Sequence, residues 1–204
     1  MNQVWRWMLV LLTVVEATAC NDSAAKGTLQ PDKDLRPLPT PPLTAASSKA
    51  SGPSLFEAEP LDRALHDLKQ ALNRGNEEQE IAVLELRANQ HRLLLQAEDP
   101  KAPGRVLQWE YSQGKVQEPV VVDLRGEGNL EDNLFSLDGV YLKAIPRLAT
   151  LAVEHVDPQD GKVTEIVVRR NFPFSQDVRF RVFVESPRRG GQLDANRFGH
   201  PLLG

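Results

Sequence analysis

Two stretches of this chain carry hydrophobic periodicities in the same order, and that order restricts the possible folds more than any other feature. In residues 55–118, Pro60 opens a pattern in which Leu61, Ala64, Leu65, Leu68 and Leu72 recur at helical spacing. Asn73-Arg74-Gly75 supplies a helix stop. Three strand-like runs follow: 80–88, 91–98 and 105–112. In the last, Leu107, Trp109 and Tyr111 alternate with Val106, Gln108 and Glu110, so the two sets lie on opposite sheet faces. Asn89-Gln90 predicts a tight hairpin turn, and residues 99–104 (DPKAPG) a longer loop.

Residues 134–199 repeat the order. Leu142, Ile145, Leu148, Ala149 and Ala152 are near helical spacing within 136–156, where Pro146 predicts either a kink or a late helix start. A turn at 157–161 (DPQDG) precedes strands at 162–171 and 177–186, and a third, shorter strand is predicted within 191–199. Between the two stretches, residues 119–133 form a connecting segment in which Val120–Val122 predicts an edge strand.

A helix followed by three strands covers one face of a small sheet. A unit of about 65 residues makes a marginal core alone, so two such units are expected to pack together or pair strands. The expected fold class is α+β: two tandem α-β-β-β units, each an antiparallel sheet on one helix. This arrangement resembles the fold shared by PepSY-type domains and the β-lactamase inhibitor protein. The second stretch carries the better cue: VTEIVVRRN, then DVRFRVFVES, then LDANRFG, two strands and a third ending in an acidic-small-x-x-x-Gly turn. The resemblance implies binding, inhibition of periplasmic proteases or regulation of envelope enzymes. Fold alone transfers none of these.

The start of the chain has a different character. Arg6 precedes an apolar run, Trp7–Val15, of signal-peptide size and far short of a bilayer span. Ala17-Thr18-Ala19-Cys20 then resembles the lipobox of bacterial lipoproteins, with Ala17 where leucine is preferred and Glu16 an unusual charge beside the run. The resemblance implies cleavage after residue 19 and attachment of lipid, including a fatty acid such as palmitate, at Cys20. A general secretory signal cut near Ala19 or Thr18, or a buried structural thiol, is the alternative. Asn21 in place of aspartate favours the outer over the inner membrane within the same resemblance. Residues 20–54 read as a lipidated cysteine and a proline-rich spacer without fixed structure, with Pro37, Pro39, Pro41 and Pro42 favouring extended geometry. Residues 200–204 are a tail.

Composition excludes several classes. The net charge of −4 disfavours nucleic acid as a partner, and one cysteine permits no intramolecular disulfide. His66, His91, His155 and His200 lack ligand spacing, and no nucleophile elbow, phosphate loop or dinucleotide fingerprint occurs. Asp132, Asp138, Asp157 and Asp160 read as turn residues. No enzyme activity, metal or cofactor is therefore expected.

The remaining candidate is an interaction surface. In the strand at 177–186, Val178, Phe180, Val182 and Val184 point inward, and Arg179, Arg181, Phe183 and Glu185 outward. Glu165, Val167 and Arg169 on the preceding strand point the same way. Arg169, Arg179, Arg181 and Phe183 predict a basic, partly apolar docking face. A solvated face with cross-strand Arg–Glu pairs, or one covered by the first unit, are the alternatives. The expected function is a lipid-anchored, non-enzymatic binding or scaffold module on the periplasmic side of the envelope, with an envelope protein or polymer as partner. An inhibitor of a periplasmic protease or other envelope hydrolase, acting through loops 99–104 and 172–177, is the second expectation.

Overall fold

The computed structural model describes residues 52–73, 80–124 and 128–202. The expected signal peptide, Cys20 and all but the end of the spacer lie outside the described residues. Helix α1 spans Ala58–Leu72. Pro60 sits in its first turn, where a backbone N–H has no intrahelical partner to lose. Glu59 near the start and Lys69 near the end complement the helix dipole. Leu61, Ala64, Leu68 and Ala71 form the buried stripe.

Three strands follow: β1 (Ala82–Ala88), β2 (Arg92–Glu98) and β3 (Val106–Ser112). The turn at 89–91 closes with the Asn89 N–H donating to the Arg92 carbonyl, while Asn89 Oδ1 accepts from the His91 N–H. Two short strands, β4 (Lys115–Val116) and β5 (Val120–Val121), both pair with β3. A short helix, α2 (Leu130–Asn133), leads into β6 (Phe135–Ser136), which pairs with β1.

The helix expected within 136–156 begins late. Two 3-10 turns, Leu137–Gly139 and Leu142–Ala144, precede α3 (Ile145–Val156), with Pro146 in its first turn. Proline cannot donate to a preceding turn and its ring clashes with it, so the α-helix starts there instead of running through. Strands β7 (Lys162–Arg170), β8 (Val178–Glu185) and β9 (Gly190–Asn196) complete the described chain. β9 ends earlier than expected, because residues 197–199 form a turn closed by the Gly199 N–H on the Asn196 carbonyl.

All strand pairs among the described residues are antiparallel, and the sheet runs β4-β3-β2-β1-β7-β8-β9, with β5 and β6 alongside β3 and β1. β1 and β7 meet at the centre through Leu86–Val168, Arg87–Val167 and Ala88–Ile166. Leu86, Leu93, Leu95, Val168, Ile166, Phe180, Val182 and Ala195 share one face and merge with the buried stripes of α1 and α3 into one core. Ion pairs Lys69–Asp138 (2.5 Å) and Lys143–Asp62 (3.3 Å) tie α1 to the segment before α3. Both long helices therefore lie on the same side of the sheet. Among the described residues, β1–β3 extend the sheet edgewise from β7 and do not lie over the β7–β8 face.

Candidate functional site

Among the described residues, no long helix lies over the opposite sheet face. Strand alternation and register place Arg92, Leu94 and Gln96 of β2, Glu85 and Arg87 of β1, and Glu165, Val167 and Arg169 of β7 there. Arg179, Arg181 and Phe183 of β8 and Gln192, Asp194 and Asn196 of β9 continue the same surface. All four residues singled out in the sequence thus share this face. Arg169 stands opposite Arg179, Val167 opposite Arg181, and Glu165 opposite Phe183.

The face is not the basic surface expected. Carboxylates from other strands alternate with the arginines. Glu85, only 12 % exposed, accepts from Arg87 Nε at 2.5 Å and lies 3.5 Å from Arg169 Nη1. Arg87 also reaches Glu165 at 3.5 Å. Asp194 receives Arg181 through Nε and Nη2, both at 2.9 Å, a bidentate pair that holds the guanidinium more firmly protonated. The hydrogen bond that Arg87 donates to Glu85 does the same for its own guanidinium. Val167, flanked by these long side chains, is only 6 % exposed although it points away from the helices. Arg179 differs from its neighbours. Among the described residues its side chain has no ion pair or hydrogen-bond partner, and its Nε is shielded from solvent.

At one end, β1 leaves β7 and takes β6 as its partner. Arg170 spans the gap, with Nε donating to the Leu134 carbonyl (2.8 Å) and Nη1 to the Gln176 carbonyl (2.6 Å). A cleft of about 260 Å³ opens there, lined by Leu84, Glu85, Gln96, Asn133, Arg169 and Phe172 among others. The antiparallel register brings the β2–β3 loop and the β7–β8 loop to this same end. The first is organised by the buried Asp99, whose carboxyl is held below the usual range by the hydrogen bonds it accepts from the Arg105 guanidinium and then from the Lys101 N–H. The second exposes Phe172 (38 %) and Phe174 (85 %).

A larger cavity, about 580 Å³, lies between the end of α1 and β3. Leu72, Ile81, Leu107, Trp109 and Val116 supply its apolar wall, and Glu80, Glu98 and Glu118 stand at its margin. Alternation in the sequence puts Leu107, Trp109 and Tyr111 on one face of β3 but does not reveal the cavity. The half-burial of so large a side chain is its signal, visible only once α1 and β4 are placed.

The remaining titratable groups are dispersed. His66 is on α1, His91 in the β1–β2 turn, His155 on α3 and His200 in the tail. Asp138 pairs with Lys69, and Asp157 and Asp160 with Arg188. No group of three or more histidine, cysteine or acidic residues suited to a metal ion occurs among the described residues. Among them, too, no helix is long and apolar enough to cross a membrane.

The sequence matches no protein-family model and no curated relative. One solved structure matches, a candidate lipoprotein of Clostridium difficile 630, with 12% sequence identity and a TM-score of 0.44 over 74% of this chain and 97% of the other.

Proposed function

We propose that this chain is a lipid-anchored binding module of the bacterial cell envelope. In this reading Cys20 carries the lipid, residues 21–54 are the spacer, and the domain beyond presents its uncovered sheet face to an envelope protein or polymer. The outer membrane is the favoured site of anchoring. The domain is a PepSY-like tandem: α1 with β1–β3 is one unit, α3 with β7–β9 the other, joined by antiparallel pairing of their first strands. The observation that carries the binding assignment is the face itself. A sheet this wide, with both long helices on one side, leaves Arg169, Arg179, Arg181 and Phe183 together on the other.

In-cell crosslinking from position 183 tests it. Adducts with an envelope protein or polymer are expected, and their loss in an Arg179→Glu, Arg181→Glu variant. Since Arg181→Glu also opposes Asp194, the single Arg179→Glu variant serves as the milder check. Adducts that persist unchanged in both overturn the assignment of this face.

A second reading, an inhibitor of a periplasmic protease or other envelope hydrolase, is favoured by one specific observation. The loops at 99–104 and 172–177 emerge at the same end of the sheet, the second with Phe174 almost wholly exposed. Inhibition assays against a panel of envelope hydrolases, with Phe174→Ala as the loss-of-function variant, separate it from a scaffold.

A further inference from the structure

Arg169 and Arg179 face each other across β7 and β8 as direct register partners. Like charges at directly opposed positions of an antiparallel pair destabilise the sheet. Elsewhere on this face the same conflict is removed by carboxylates: Arg87 has Glu85 and Glu165, Arg181 has Asp194, and Arg92 lies 4.0 Å from Glu110. The Arg169–Arg179 pair is only half compensated. Glu85 reaches Arg169 at 3.5 Å but already takes a 2.5 Å bond from Arg87. Arg179 has no acceptor among the described residues, and a guanidinium nitrogen shielded from water without an acceptor is costly. Asp194, the closest acid on β9 by register, is engaged by Arg181 through both of its oxygens.

We propose that Arg169 and Arg179 form an anion-binding pair that takes a carboxylate or phosphate group of the partner. This deepens, and rests on, the assignment of the open face as the binding surface. A bidentate oxyanion between the two guanidinium groups replaces their repulsion with two charge-assisted pairs and supplies Arg179 with an acceptor. The position suits a group that also has apolar character. Arg169 forms part of the wall of the cleft that Leu84 and Phe172 line, and the exposed Phe174 stands on the adjoining loop. The ligand is thus an acidic group carried on a partly apolar segment, and not a bare polyanion attracted by net charge, since the chain itself is negative.

The test uses the full chain in neutral detergent, with two probes, a hexapeptide of alternating glutamate and leucine and phenyl phosphate, followed through arginine side-chain Nε–H resonances. The Arg179 resonance should shift and saturate, while that of Arg181, held by Asp194, stays in place. Arg179→Gln should weaken binding about ten- to a hundredfold, the range for a hydrogen bond to a charged group. It should leave the melting temperature unchanged or higher, because it removes a like-charge neighbour; a purely structural arginine would lower it. Saturation by the peptide alone assigns the anion as a carboxylate, and by phenyl phosphate alone as a phosphoryl group. No shift of Arg179 with either probe, or unaltered binding by Arg179→Gln, overturns the proposal. If crosslinks from position 183 survive that result, the binding face stands and only the anion pair falls.

Discussion

Phe180→Ala tests whether the described chain unfolds as one body. Phe180 is the largest of the fully buried side chains, at 0 % exposure, and lies on β8 between Val168 of β7 and Ala195 of β9. Removing a buried phenyl ring costs about 3–5 kcal/mol, from lost transfer energy and the cavity left behind. For a domain of this size each kcal/mol moves the midpoint by about 2–4 °C, so a fall of roughly 6–20 °C is expected. The informative readout is distant from the substitution. Trp109 on β3 is the only tryptophan after residue 7, so its fluorescence in a chain beginning at Cys20 reports on the other end of the sheet. One core joins Leu61 on α1 to Ala195 on β9 across the β1–β7 seam, so the Trp109 transition should fall with the circular dichroism transition and coincide with it. If Trp109 keeps its wild-type midpoint while helical signal is lost early, the seam does not couple the two ends and the single-core argument fails.

Three further tests address local features. Gly199 has φ +81° and a Cβ there would come within 2.3 Å of the Ala144 Cβ, whereas Gly104, at φ +82°, would meet nothing within 4 Å. Both alanine substitutions incur the left-handed penalty of about 1–2 kcal/mol, and melting curves should show Gly199→Ala to be clearly the worse, the difference being the overlap with α3's approach. Equal losses would contradict the packing of the 197–199 turn against Ala144. Burial acts to raise the Asp157 carboxyl, but the nearby Ser186 hydroxyl, hydrogen bonds from the Gln159 and Asp160 N–H groups and the Arg188 charge outweigh it and hold it below the usual range. A depressed carboxyl contributes stability above its unfolded value and loses it as pH falls through the folded one. The stability gap between wild type and Asp157→Asn should therefore close at the acid end of a denaturation series; a gap independent of pH contradicts the assignment. The Arg181–Asp194 pair is partly exposed, so a double-mutant cycle should return about 1 kcal/mol or less, shrinking with added salt.

Periodicity made much of the architecture legible. Leu61, Ala64 and Leu68 form a buried helical stripe, and Val178 to Val184 alternate inward as their spacing requires. Pro146 signalled a disturbance, and only packing decided between a kink and a late start. Charge balance on the open face was hidden for a different reason. Glu85 and Asp194 meet Arg169 and Arg181 through pairings between separate strands; the β1–β7 register spans about 80 residues of sequence, and the β1–β2 and β7–β8 pairings carry irregularities at Val83–Glu85 and Val163–Glu165. A local run such as VRFRVFVE shows two arginines and one glutamate, so it reads as basic until its neighbours are known. The cavity beside Trp109 was illegible because its wall comes from α1, β1, β3 and β4 together.

The most direct test of the account is the mass of the amino-terminal peptide of the protein isolated from cell envelopes. A peptide beginning at Cys20 and carrying diacylglycerol with an added acyl chain is expected, as is a Cys20→Ser variant that leaves the membrane fraction. An unmodified terminus at another residue, or an unlipidated Cys20 within a chain that fractionates as before, would contradict it.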